Sequence, residues 1–129
     1  MALTALILDD EAQSRKALMG KLKLFCPEVQ TVLEASTVDE AWDLLLGHKP
    51  QLLFLDIHLS GELGFDLLER LSSDEPEWSG AVIFVTAHDA YALRAIKFSA
   101  LDYLLKPVDP EELVKAVRKA EEGLSSIPS

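Results

Sequence analysis

Five short apolar runs recur along the chain, and most of them lead directly into a charged or hydroxyl-bearing residue. They cover residues 3–8, 29–35, 51–56, 81–86 and 101–105. The clearest run is Leu52-Leu53-Phe54-Leu55, which leads straight into Asp56. Because its apolar positions do not alternate with polar ones, both faces of the segment require burial. This pattern is typical of a central strand in a parallel sheet.

Amphipathic segments separate these runs and predict a helix after each strand. Apolar residues at three- and four-residue spacing over 17–25 predict the first helix, which we expect to end before Pro27. The Thr-x-x-Glu spacing of Thr37 and Glu40 is that of a capping box, so a helix begins there, and we expect Gly47 to end it. Further helices are predicted over 65–71 and 90–98, and from Pro110 onward after the N-cap Asp109.

This alternation of strands and helices with short connections predicts the α/β class. We expect one doubly wound, five-stranded parallel sheet with right-handed crossovers and helices on both faces. The length of 129 residues is that of a single domain. We assign residues 1–122 to this domain and residues 123–129 to a tail or to the start of a linker.

The charge balance limits the partners of the chain. Acidic residues outnumber basic ones by 22 to 12, giving a formal net charge of −10. Phosphate neutralisation requires Lys and Arg, so we expect no direct nucleic-acid binding by this segment. The single cysteine, Cys26, is interpreted as a buried thiol in a reducing compartment. No apolar run has the length of a membrane span and no leader pattern opens the chain, so we expect a cytoplasmic protein without membrane contact.

The candidate chemistry lies at the carboxyl ends of the strands, where open α/β sheets bind their ligands. The residues at these ends are Asp9, Asp10, Asp56, Thr86 and Lys106. Three carboxylates in close quarters repel each other unless a cation is present, and hard oxygen ligands select Mg²⁺. Aspartate serves some enzymes as the nucleophile that takes up a phosphoryl group. The sequence therefore predicts phosphoryl transfer, with positive charge from Mg²⁺ and Lys106 and a hydrogen bond from Thr86.

Five motifs in order resemble the receiver domain of two-component response regulators over nearly the whole chain. They are Asp9-Asp10, Leu53-Phe54-Leu55-Asp56-Ile57, Gly64, Val85-Thr86-Ala87 and Asp102-Tyr103-Leu104-Leu105-Lys106-Pro107. Within that family, residues 86–96 and the following Asp-Tyr-Leu-Leu-Lys-Pro segment resemble receivers that precede a LytTR-type (LytR/AlgR-like) DNA-binding domain.

The resemblance implies a flavodoxin-like fold with strand order 2-1-3-4-5. It also implies that Asp56 accepts a phosphoryl group from a histidine kinase. Asp10 and Asp56 would hold Mg²⁺ together with the main-chain carbonyl of His58, and Asp9 would act through water.

Further roles follow from the same resemblance. Lys106 would bind the phosphoryl group, with a cis bond before Pro107. Thr86 and Tyr103 would form a switch pair, in which Thr86 moves toward the phosphoryl group and Tyr103 turns inward. Phosphorylation would reshape the face made by the fourth helix, the fifth strand and the fifth helix. We expect this face to form a homodimer or to control an output domain that is missing from this sequence.

Several of these residues also have ordinary structural interpretations. The acids at 9–11 suit a helix start, where the macrodipole favours negative charge. An aromatic strand residue such as Tyr103 usually packs in the core, and a lysine such as Lys106 usually extends to solvent. The less favoured metal site would instead consist of His58, His88 and Asp56.

We expect a signalling domain rather than an enzyme. The rival enzyme class is a phosphohydrolase that forms an aspartyl phosphate and carries a second acid two residues after the nucleophile, where this chain has His58. The sequence is also compatible with a stand-alone receiver and with a phosphorylation-independent binding module. Ser60 stands where the family often has proline, and His58 and His88 lie where relatives tune dephosphorylation.

Overall fold

The computed structural model describes residues 2–75 and 77–125. Its strands are β1 (Leu3–Leu8), β2 (Val29–Ala35), β3 (Leu52–Leu55), β4 (His58–Leu59), β5 (Glu62–Leu63), β6 (Ala81–Thr86) and β7 (Asp102–Leu105). Its helices are α1 (Ala12–Phe25), α2 (Val38–His48), α3 (Gly64–Asp74), α4 (Ala92–Lys97) and α5 (Pro110–Ser125). None of the helices within these ranges is both long enough and apolar enough to cross a membrane.

Five strands form one parallel sheet in the order β2-β1-β3-β6-β7. The predicted order 2-1-3-4-5 is confirmed, because β6 and β7 are the fourth and fifth strands of this sheet. The numbers differ since β4 and β5 form a separate antiparallel hairpin. The sequence predicts no strand over residues 57–64, because each hairpin strand has only two residues and is too short to leave a periodic pattern.

The central position of β3 explains its continuous apolar sequence. All four of its residues have no exposed surface. Leu53 and Leu55 belong to the core that the sheet shares with α2 and α3, whereas Leu52 and Phe54 belong to the core shared with α1 and α5. The sheet therefore buries both faces, as the sequence predicts.

Both predicted N-caps are confirmed, but α2 and α5 end later than predicted. The Thr37 side chain accepts a hydrogen bond from Glu40 N at 3.1 Å, and Asp109 Oδ1 accepts one from Glu111 N at 2.9 Å. Gly47, however, does not end α2. The helix runs through His48 and is closed by Lys49, which has a left-handed φ of 46° and donates its N–H to Leu45 O.

The second difference concerns α5, which continues through Ser125 instead of ending at residue 122. Residues 126–129 of the predicted tail lie outside the described residues.

Two other expectations hold. Cys26 is fully buried, and burial, followed by the charge of Glu28, raises the pKa of its thiol to about 11. The peptide bond before Pro107 is cis.

Candidate functional site

The sheet brings the predicted site residues to one edge. Asp9 and Asp10 follow β1, Asp56 follows β3, Thr86 ends β6 and Lys106 follows β7. Among the described residues, the buried polar or charged residues are Asp9, Asp56 and Thr86, at 4%, 7% and 0% exposure. Burial of ionisable groups costs free energy unless they are paired. Two buried carboxylates beside a buried hydroxyl at one edge of the sheet therefore indicate a functional site.

The ammonium group of Lys106 joins two of the carboxylates. Its Nζ lies 2.8 Å from Asp9 Oδ2 and 2.8 Å from Asp56 Oδ2. Burial by itself lowers the pKa of Lys106, but the hydrogen bonds to Asp56 and Asp9 outweigh burial and raise that pKa above its usual value. The lysine is therefore held as a cation between two acids.

The pKa of the Asp9 carboxyl group is lowered by the same contact with Lys106. Burial by itself raises the pKa of its carboxyl group, but hydrogen bonds from Lys106, from Ser14 and from the Glu11 main chain bring the pKa below its usual value. The Glu11 N–H donates to Asp9 Oδ1 at 2.9 Å. Asp9 therefore stays ionised inside the site.

Asp56 is fixed by both its main chain and its side chain. Its N–H donates to Leu8 O at 3.0 Å, and its Oδ1 accepts from Ile57 N at 2.7 Å. Gly64 N donates to Ile57 O at 2.7 Å. A Cβ atom on Gly64 would lie 2.1 Å from the carbonyl oxygen of Asp56. Glycine is therefore required where the β4–β5 hairpin folds back against the end of β3.

Asp10 has a different partner from Asp9 and Asp56. It is half-buried, and its Oδ2 accepts a hydrogen bond from the hydroxyl of Ser60 at 2.7 Å. Ser60 lies in the turn between β4 and β5, and no sequence pattern links these two residues across 50 positions.

The predicted metal ligands contain only oxygen. In the described part of the chain, no group of three or more His, Cys, Asp or Glu side chains is arranged to hold a metal ion. The predicted set is of another kind, with two carboxylates from Asp10 and Asp56 and one main-chain carbonyl from His58. Mg²⁺ is often bound by one or two carboxylates and keeps several waters, so this donor chemistry fits it.

Thr86 and Tyr103 both contact the main chain of His88. Thr86 Oγ1 accepts from His88 N at 3.3 Å, and the Tyr103 hydroxyl donates to His88 O. The Tyr103 ring lies 5.8 Å from the ring of Phe84, and burial raises the pKa of its hydroxyl. Tyr103 therefore packs partly in the core while its hydroxyl stays near the strand ends.

An aromatic cluster beside the site includes one residue that sequence reasoning missed. His58 Nε2 lies 3.0 Å from the Tyr91 hydroxyl, and the rings of His58 and His88 lie 4.2 Å apart. The two histidines each follow a strand-end residue by two positions, which is a usable signal. Tyr91 precedes α4 and has no such signal, because its contact depends on how the segment before α4 lies beside the β4–β5 hairpin.

Known proteins are similar to this chain in sequence and in fold. The model of the response regulator receiver domain family matches residues 5–118. The chain is 43% identical over 117 residues to the sensory transduction protein LytT of Bacillus subtilis, and 42% identical over 119 residues to that of Enterococcus faecalis. The alignments cover 91% and 92% of the chain but 47% and 48% of these relatives, so the chain spans about half their length.

A solved structure has the same fold as this chain. The response regulator receiver domain from Methylobacillus flagellatus superposes with a TM-score of 0.81 at 17% sequence identity, over 93% of the chain and 99% of that structure. At this identity the similarity concerns the fold alone.

Proposed function

Because the chain belongs to the family of response regulator receiver domains, we propose that Asp56 accepts a phosphoryl group from a histidine kinase in a Mg²⁺-dependent reaction. Family membership implies phosphorelay signalling, and the LytT relatives are consistent with the LytTR subfamily. The observation that carries the proposal is the position of the Lys106 ammonium group, which lies 2.8 Å from a carboxylate oxygen of Asp9 and 2.8 Å from one of Asp56.

The proposed step is a displacement at phosphorus. A carboxylate oxygen of Asp56 attacks the phosphorus atom, the phosphorus–nitrogen bond of the donor histidine breaks, and that nitrogen keeps the electron pair. Asp56 is then an acyl phosphate. Lys106 stabilises the negative charge on the phosphoryl oxygens, and Thr86 donates a hydrogen bond to one of them. When bound, Mg²⁺ supplies further charge neutralisation. Intact-mass measurement after incubation with acetyl phosphate and Mg²⁺ tests this assignment.

The metal ligands are proposed from donor chemistry and from the family. Asp10 and Asp56 hold Mg²⁺ together with the main-chain carbonyl of His58, and Asp9 acts through water.

Magnesium should stabilise the folded chain, and the Asp10→Asn variant should lose most of that stabilisation. At a free Mg²⁺ concentration of about ten times the Kd, one site adds about 1.4 kcal/mol to the free energy of unfolding. Removing the Asp10 charge weakens the site, so we expect a gain below about 0.5 kcal/mol in the variant. Thermal unfolding in Mg²⁺ and in EDTA measures both values.

The exposed Asp43 on α2 provides the matched control. Asp43→Asn removes the same charge away from the strand ends and should keep the wild-type response to Mg²⁺. An undiminished response in Asp10→Asn would contradict the proposed ligand set.

The proposed switch uses the contacts to His88. Phosphorylation draws Thr86 toward the phosphoryl group, and Tyr103 leaves the His88 carbonyl and turns inward. α4 responds because it is weakly anchored: it has six residues, of which Ala95 is buried. A phosphoryl group that is bound better in one arrangement shifts the population toward it.

The face made by α4, β7 and α5 is the proposed dimer surface. Six large apolar side chains are exposed among the described residues, and three of them lie on α4 and β7. These are Leu93, Ile96 and Leu105, at 79%, 69% and 45% exposure. Large exposed apolar patches often mark interaction surfaces, so these exposures support the choice of this face.

Beryllofluoride, a phosphoryl mimic, should convert the wild-type chain to a dimer in gel filtration, and Leu93→Asn should prevent this. The substitution removes an apolar side chain from the proposed interface. Leu24→Asn is the matched control, because Leu24 on α1 is 76% exposed and lies outside the interface. Equal elution of the wild type with and without beryllofluoride would refute dimerisation, and equal loss in both variants would refute the choice of face.

The relatives also suggest the wider context. Because they are about twice as long as the chain, we propose a cytoplasmic transcription factor in which this domain regulates a LytTR-type DNA-binding output domain. The domain itself is proposed to be a signalling module without an independent catalytic activity.

A further inference from the structure

The three acids of the site differ in how their charge is stabilised. Lys106 contacts Asp9 and Asp56 at 2.8 Å each. None of the ion pairs within residues 2–75 and 77–125 includes Asp10. Its carboxylate instead accepts a hydrogen bond from Ser60 Oγ at 2.7 Å. The neutral hydroxyl of Ser60 therefore orients Asp10, which has no ion pair with Lys106.

The turn that carries Ser60 is held in place from several directions. Gly61 takes a left-handed φ of 76°, which closes the two-residue connection between β4 and β5. Glu62 Oε2 accepts from Val38 N at 3.0 Å and ties β5 to the start of α2. At the other end of β5, Leu63 N donates to Asp66 Oδ2 at 3.0 Å. The hydroxyl of Ser60 therefore comes from an anchored turn.

We propose that Ser60 is a positioning residue for magnesium binding, acting through Asp10. The inference rests on the proposed function, in which Asp10 is a Mg²⁺ ligand. One hydrogen bond to Oδ2 fixes the orientation of the carboxylate and leaves its other lone pairs free for a metal ion. Groups that hydrogen-bond to metal-binding carboxylates typically change metal affinity about 10- to 100-fold when removed. Because Ser60 is exposed, we expect a smaller effect.

Calorimetric titration of the full chain with MgCl₂ tests the proposal. Ser60→Ala removes the hydroxyl and should raise the Kd for Mg²⁺ about three- to tenfold. Ser60→Thr keeps a hydroxyl and should restore most of the affinity. A role in folding alone would appear as a lower unfolding midpoint of Ser60→Ala in EDTA, which is measured beside the titrations.

Ser36→Ala is the matched control. Ser36 Oγ donates to Glu40 Oε1 at 2.5 Å, so the control also removes an exposed serine–carboxylate hydrogen bond. It should leave the Kd for Mg²⁺ within about twofold of wild type, since Glu40 is not a proposed ligand.

The outcomes distinguish a failure of this inference from a failure of the proposed function. Wild-type affinity in Ser60→Ala overturns the role of Ser60 and leaves the proposed function standing. Tighter binding in Ser60→Ala also overturns it, because the hydroxyl would then compete with the metal. A wild-type chain that binds no Mg²⁺ overturns the magnesium site itself.

Discussion

The Asp56→Asn variant is expected to gain no mass from acetyl phosphate and Mg²⁺, whereas the wild-type chain gains the mass of one phosphoryl group. The amide cannot act as the nucleophile, and it also removes one of the two charges that Lys106 contacts. Intact-mass spectrometry of both proteins after the same incubation measures the difference directly. Asp9 is also buried and also contacts Lys106 and a main-chain N–H, but it follows β1 and not the central strand, so we expect no phosphorylation there and a complete effect in Asp56→Asn.

The matched control for this experiment is Asp43→Asn, which changes an exposed aspartate on α2 and should be phosphorylated like the wild type. The rival functions give different results. A phosphohydrolase would consume acetyl phosphate through many turnovers without a lasting mass increase. A binding module that is not phosphorylated would show no mass increase even in the wild type. Phosphorylation of Asp56→Asn to the wild-type extent would refute Asp56 as the acceptor.

Much of the fold could be predicted because the three inner strands, β1, β3 and β6, are buried on both faces. The run that forms β3 has no polar position, so its place at the centre of the sheet could be inferred from residues 52–55 alone. Once the strands are parallel, their carboxyl ends must share one edge. The convergence of Asp56 and Lys106 therefore follows from the topology, although they lie 50 residues apart.

The rest depends on contacts that leave no periodic pattern. The hydrogen bond from Ser60 to Asp10 requires the β4–β5 hairpin, whose strands are too short to be recognised in the sequence. The contact between Tyr91 and His58 requires the segment before α4 to lie beside that hairpin. Glycine favours the left-handed conformation, so the sequence predicts that α2 ends at Gly47. Lys49 adopts that conformation instead, and the helix continues through Gly47.

Gly64 shows how the backbone around the site limits sequence choice. In Gly64→Ala, the new Cβ would lie 2.1 Å from the Asp56 carbonyl oxygen and 3.0 Å from Leu55 Cδ1. The carbonyl cannot retreat easily, because Asp56 N donates to Leu8 O and Gly64 N donates to Ile57 O. Either the end of β3 or the start of α3 must therefore move, and a shift of the end of β3 displaces the Asp56 carboxylate from Lys106.

The Gly64→Ala variant should consequently lose about 3 kcal/mol of unfolding free energy, as expected for overpacking against a fixed main chain. It should also take up phosphate more slowly than wild type. Urea denaturation with a common m-value measures the first effect, and the time course of intact mass measures the second. Gly20→Ala is the control, because nothing lies within 4 Å of its added Cβ in α1. There, alanine should raise the free energy of unfolding by about 0.5–1 kcal/mol. If both variants were stabilised alike, the close approach of Gly64 to Asp56 would not constrain the site.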